Sequence, residues 1–233
     1  LKKGKADVKN LTLNGKNTIY ENHGEMIVET LILNLLLGNH FTNMGNLQVS
    51  TINGTGAALV NEGVLRAKYG TLIYFMNHGQ ALIEALTLNG AGQNNGLLNL
   101  MILKGQGSFH NHAQLAFKGS ADTPSLLGIN SFVSGDTSKS KAEISAAAII
   151  VMPETKIFDL KSGIAEITSL IINAGAGTTQ CSNAGDLITS QLQMNQSSFH
   201  NSGYLDADSF GGKLTTLVNS GDFTVKMQTV LPT

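Results

Sequence analysis

Acidic side chains recur at set distances from an Asn in the last third of the chain, and they are the residues best placed to do chemistry. Asp186 lies three positions after Asn183 and Asp222 three after Asn219, while Asp206 and Asp208 lie five and seven after Asn201. Two carboxyls about 5 to 9.5 Å apart are what glycoside hydrolysis requires, and paired carboxylates also suit a hard cation. The competing reading is a solvated acidic face, since there is no Arg nearby and no aromatic subsite apart from Tyr204. The expectation is no catalytic residue, with Asp186, Asp206 and Asp222 the set to test if that is wrong.

The other reactive types give less. His23, His78 and His112 each directly follow an Asn, and His110 and His200 each precede one. If the Asn residues mark coils, His78 and His112 lie two coils apart, on the order of 10 Å, too far to share an ion at bonds of about 2 Å. His110 and His112 share a coil without a third ligand, so neither metal nor cofactor is expected. The single Cys181 excludes an intramolecular disulfide framework and reads as a small core residue. No Ser-His-Asp arrangement, phosphate loop or zinc spacing is present. Asn53-Gly54-Thr55-Gly56 and Gly90-Ala91-Gly92 have no helix after them and read as corners.

What would position these groups is a repeat. The phrase is apolar, any, Asn, any, Gly, any, apolar, any, apolar. Its anchors are Asn22, Asn43, Asn61, Asn77, Asn94, Asn111, Asn183, Asn201 and Asn219, spaced 16 to 21 residues apart where they are consecutive. Two positions before the anchor stand Tyr20, Phe41, Leu59, Phe75, Phe109, Cys181, Phe199 and Leu217. Four after it the residues are Met26, Leu47, Leu65, Ala81, Leu98, Leu115, Leu187, Leu205 and Phe223. Apolar residues two apart face one side of a strand. A second phrase, as in Leu11-Thr12-Leu13-Asn14-Gly15 and Leu86-Thr87-Leu88-Asn89-Gly90, fills the other half of many repeats.

One repeat cannot bury its own apolar face, whereas stacked repeats bury all of them in one core. The prediction is an all-β, right-handed parallel β-helix of about 13 coils stepping about 4.8 Å each. The Asn column becomes a ladder of amides. The Gly two positions on supplies positive φ or close packing at the corner. The phrase fades after Asn111. Lys161-Ser162-Gly163 resembles a decayed anchor, which leaves room for three coils from Asn111. Positions 119–140, with Pro124 and Gly135, are expected to hold a loop, and 138–148 could form a short helix. Positions 1–233 are read as a single repeat domain and, since the first residue is not Met, as a fragment of a longer protein.

Composition narrows the function. Hydrophobic residues make up 42 % and charged ones only 13 %, with 26 Gly and a net charge of −1. Mean hydropathy is +0.05. That supports a core and argues against disorder. Arg66 is the only Arg and no basic patch forms, so nucleic acid is not an expected partner. Apolar runs such as Ala146 to Met152 are too short to span a bilayer as helices.

The segments Leu217-Val218-Asn219-Ser220-Gly221-Asp222-Phe223-Thr224-Val225, Phe199–Ala207 and Leu59–Ala67 resemble the repeats of filamentous haemagglutinin-type exoproteins of Gram-negative bacteria. The resemblance runs through about nine copies. It implies a long secreted β-helix exported by a two-partner system, serving adhesion or carrying a toxin to other cells. The N-terminal secretion module of that family is not recognisable in this sequence. The expected function is a non-catalytic structural or adhesive rod, secreted or on a bacterial surface, with a surface glycan or protein as partner and end-to-end association open. The rivals are a carbohydrate-active β-helix enzyme and the scaffold region of a polymorphic toxin or translocated effector.

Overall fold

The computed structural model describes residues 4–16, 18–35, 39–54, 56, 58–136, 142–173 and 179–230, and for 214, 215 and 228–230 it describes the backbone alone. The described residues are strands and the turns between them, with no helix. The strands pair in parallel and form a β-solenoid. The chain divides into two compact units, Leu1–Ser108 and Phe109–Thr233.

In the first unit the register follows the anchors. Asn22 pairs with Asn43, Asn43 with Asn61, Asn61 with Asn77 and Asn77 with Asn94. Strands Glu25–Leu35, Asn46–Gly54, Val64–Asn77 and Gln80–Asn94 carry alternating in-and-out side chains. Leu31, Leu33, Leu47, Ile52, Leu65 and Leu86 are fully buried. Alternation buries one face of each strand, and stacking closes it against the next coil. The Gly two positions after the anchor serves close approach rather than positive φ. A Cβ on Gly63 would overlap the carbonyl oxygen of Gly45, and one on Gly79 that of Gly63.

In the second unit the same column continues past the point where the phrase fades. Asn111 Nδ2 donates to Ser134 Oγ at 3.2 Å. Ser134 pairs with Leu160, and Leu160 with Asn183. Ser134 and Leu160 therefore stand where Asn is expected. Two coils, not three, separate Asn111 from the Lys161 region. The first is 23 residues long and the second 26, from Ser134 to Leu160 (160 − 134). Lys161 is not the anchor. The corner after Leu160 holds one extra residue, because Ile164 rather than position 163 pairs with Asp186. Gly163 takes φ 88° there, a value that favours Gly.

The loop expected at 119–140 is also corrected. Ser125–Ser134 is a strand, with Leu127, Ile129 and Phe132 fully buried. Pro124 ends just before it and Gly135, at φ 82°, follows it. The breakers bound the strand instead of filling a loop. A turn does precede it, where Ser120 N donates to Thr123 O at 2.8 Å. The helix considered at 138–148 is strand Glu143–Val151 over its described part, and 137–141 lie outside the described residues. Here Phe109, Phe132 and Phe158 stack face to face, with centroids 6.2 and 5.5 Å apart. The aromatic column thus runs through the coils in which the amide column loses its Asn.

Candidate functional site

The anchor amides are almost wholly occupied by the fold. Asn22 Nδ2 donates to Asn43 Oδ1 at 2.8 Å, Asn43 to Asn61 at 2.8 Å, Asn61 to Asn77 at 2.7 Å and Asn77 to Asn94 at 2.8 Å. Asn183 donates to Asn201 and Asn201 to Asn219, each at 2.8 Å. The same nitrogens also donate to backbone carbonyls. Asn61 Nδ2 reaches Gly63 O on its own coil and Gln80 O on the next. Buried amides must find such partners, so this column is structural. Asn111 joins Ser134 instead of a further Asn.

The acidic set is brought together around Tyr204. Asp186 pairs in register with Tyr204, and Tyr204 with Asp222, so the phenol stands between the two carboxylates along one column. Asp206 lies two residues on, on the same face, and accepts from the Tyr204 hydroxyl at 3.5 Å. The charge of Asp206 pushes the phenol above its ordinary range, with desolvation, the hydrogen bond to Asp206 and the charges of Asp186 and Asp222 adding to it. Negative neighbours disfavour a phenolate. The hydroxyl therefore stays a donor.

Asp208 does not belong to this set. Its carboxylate is 2.6 Å from Lys226 Nζ, and that bond holds Asp208 below and Lys226 above their usual ranges. Both are exposed, so the pair adds little stability. Asp186 and Asp222 are two coils apart, about 10 Å by strand spacing, and each is diagonal to Asp206 at about 7–8 Å. That diagonal is compatible with an inverting pair of carboxyls. The space is not a cleft, however. Tyr204, 38 % exposed, projects through the middle of it. The neighbouring groove, about 690 Å³, reaches Asp206 and Asp208 only at one end, and its walls run back through Ile188, Glu166 and Ser145.

The imidazoles stay apart by role. His23 Nε2 lies 2.9 Å from Glu21 Oε2. His110 and His112 rings sit 6.2 Å apart. Burial first, then the His112 and Lys161 charges, pull His110 below the usual imidazole range. Among the described residues no group of three His, Cys, Asp or Glu is placed to hold a metal ion. Cys181 is buried in register between Phe158 and Phe199, and burial pushes its thiol up to about 12. It remains a thiol at neutral pH and is a poor nucleophile.

One constellation is not apparent from the sequence. Asp159, Ser182 and His200 occupy successive coils in the column just before the anchor. Ser182 Oγ donates to Asp159 Oδ1 at 2.6 Å. The spacing signal for it exists only once Leu160, not Lys161, is taken as the anchor position. The order is Asp–Ser–His, with the hydroxyl between the other two. A nucleophilic Ser needs His at its proton and Asp behind the His, and here the proton points at Asp159. The contact fits a coil-to-coil strut.

No family model, no curated protein and no solved structure matches the chain.

Proposed function

We propose that the chain is a non-catalytic structural or adhesive β-solenoid of a secreted or surface-exposed bacterial exoprotein, with a glycan or protein of another cell surface as its partner. The observation that carries this reading is the use made of its polar side chains. The recurring Asn amides bond coil to coil in the interior. The outward acids Asp186, Asp206 and Asp222 stand around a projecting phenol, and the groove beside them reaches Asp206 only at one end. Such a surface suits contact more than turnover, because catalysis needs a site that excludes water and fixes the reacting atoms. The helical spans needed to cross a membrane are absent among the described residues.

A second reading, a carbohydrate-active enzyme using Asp186, Asp206 and Asp222, is favoured by the diagonal spacing of those carboxyls. One experiment separates the two. Purified protein is incubated with a panel of neutral and acidic polysaccharides and reducing ends are counted, with Asp206→Asn as control. No release above background supports the structural reading. Release that disappears in Asp206→Asn establishes the enzyme.

A further inference from the structure

We propose that the first unit binds an extended polypeptide of mixed charge in a groove that runs across its coils, with a carboxylate of that peptide held between Arg66 and Lys68. This deepens the adhesive reading and rests on it.

The groove arises from the coil itself. The parallel ladder is continuous from Ala6 to Val8 against Met26 to Val28 and resumes at Asn10 against Thr30. The omitted pair, Lys9 and Glu29, marks the corner. The same pair is omitted at Glu29/Ser50, Ser50/Lys68 and Lys68/Glu84. Side chains five and seven positions after the anchor point outward on either side of an inward one. Val28, Val49 and Ala67 therefore form a buried apolar floor. The walls rise on both sides and enclose about 790 Å³. The second unit has a groove on the equivalent columns, from Ala116–Lys118 to Asp206. The shape is thus a property of the repeat, and the wall residues decide what fits.

In the first unit those residues are charged and mixed. Arg66 and Lys68 face each other across the floor on one coil. Among the described residues neither has an ion-pair partner, and Arg66 Nη1 reaches only Asn46 Oδ1, at 3.4 Å. Glu84 lies one coil further on, and Glu29 two coils back. A guanidinium and an ammonium on opposite walls fit a carboxylate between them. A uniform polyanion would bring its next charges against Glu29 or Glu84, and a uniform polycation would meet Arg66 and Lys68. Only a chain carrying both signs satisfies the groove, and exposed Leu82 adds apolar contact for one of its other side chains. Complementary charge of this kind fixes register and partner choice. From Arg66 to the Glu29 coil is about 10 Å, which an extended chain covers in about three residues at about 3.3 Å each.

The test uses the whole chain and a fluorescent peptide of about twelve residues, otherwise Val, Thr and Ser, with one Glu and a Lys three positions away. Fluorescence anisotropy measures its affinity, with polyglutamate and polygalacturonate as competitors. Measurable binding is expected, falling at least about tenfold in Arg66→Glu/Lys68→Glu. A peptide with Lys in place of the Glu should recover affinity in that variant. Lys213→Gln, an exposed lysine outside both grooves, should bind as wild type. Circular dichroism melts show whether the double variant is folded; if it is not, Arg66→Gln and Lys68→Gln replace it. No binding at millimolar peptide, binding indifferent to the double change, or displacement by polyglutamate at equal carboxylate concentration would each overturn the proposal. Such a failure in a protein that hydrolyses no glycan leaves the structural reading intact, whereas glycan hydrolysis overturns that reading whatever the peptide does.

Discussion

Asn183 and Leu160 face each other one coil apart, and the buried side-chain carbonyl of Asn183 has no hydrogen-bond partner there among the described residues. In Asn43, Asn61 and Asn77 that oxygen receives the amide of the preceding coil. Leu160 has no amide to give. An orphaned buried acceptor costs about 1–3 kcal/mol, and the Phe109–Phe132–Phe158 stack lies in the same coils as the defect.

The first prediction follows from this asymmetry. Asn61→Leu removes the acceptor of Asn43 and the donor to Asn77, Gly63 and Gln80. Asn183→Leu removes the donor to Asn201 and Tyr204, but no preceding amide loses its acceptor, and an orphan disappears. Asn61→Leu should cost about 1–3 kcal/mol more than Asn183→Leu in urea unfolding. The reverse order would mean that the ladder does not run in the direction described.

Close stacking at the corners gives the second. Gly63→Ala places a methyl group on the carbonyl oxygen of Gly45, so one coil must move. The expected loss is about 1–3 kcal/mol. Gly70→Ala is the control, since its Cβ would meet only the Leu86 Cδ1 methyl, at 3.3 Å. Equal melting temperatures for the two variants would show that the corners are looser than they look.

Aromatic columns supply the third. Phe75 is 2 % exposed and lies in register with Leu59. Phe75→Ala should cost about 3–5 kcal/mol. Unchanged melting would count against its burial.

Much of this was legible in the residues. The Asn-x-Gly spacing predicts the in-register pairing of Asn22, Asn43, Asn61 and Asn77, because a side chain repeated at one offset must repeat its surroundings. The spacing fails where the coil changes length. Between Asn111 and Asn183 the anchor becomes Ser134 and then Leu160, and an extra residue before Gly163 shifts the apparent phrase by one. Strand Ser125–Ser134 was hidden for a related reason. Its flanking Pro124 and Gly135 outweigh a short apolar segment in a local reading. The grouping of Asp186, Asp206 and Asp222 was legible, since all are fixed by offset. The Tyr204 hydroxyl bond to Asp206 was not, because rotamers are set by three-dimensional neighbours. The Asp159–Ser182 contact depended on the misplaced anchor.

His110 gives the fourth prediction. Its folded-state pKa lies below the unfolded value near 6.5. The unfolded chain therefore takes up the proton first as pH falls. Stability from this group is complete above about pH 6.5 and declines as pH drops through the folded-state value. Thermal melts from pH 8 to 5 should show the decline, and His110→Gln should flatten it. A profile identical in the two proteins would remove His110 as its source.

Cys181 gives the fifth. A buried thiol held at about 12 should not react with a disulfide reagent at neutral pH in the native protein. It should react fully in urea. Rapid labelling without denaturant would place Cys181 outside the core.

The stacking of one coil's amide on the next is tested most directly by nuclear magnetic resonance of the Asn side chains. Hydrogen exchange of the Nδ2 protons of Asn43, Asn61 and Asn77 should be slowed as far as that of neighbouring core backbone amides, and nuclear Overhauser contacts should link Asn43 to Asn61 and Asn61 to Asn77. Exchange at the rate of a free amide, with no contacts between those residues, would contradict the solenoid and everything drawn from it.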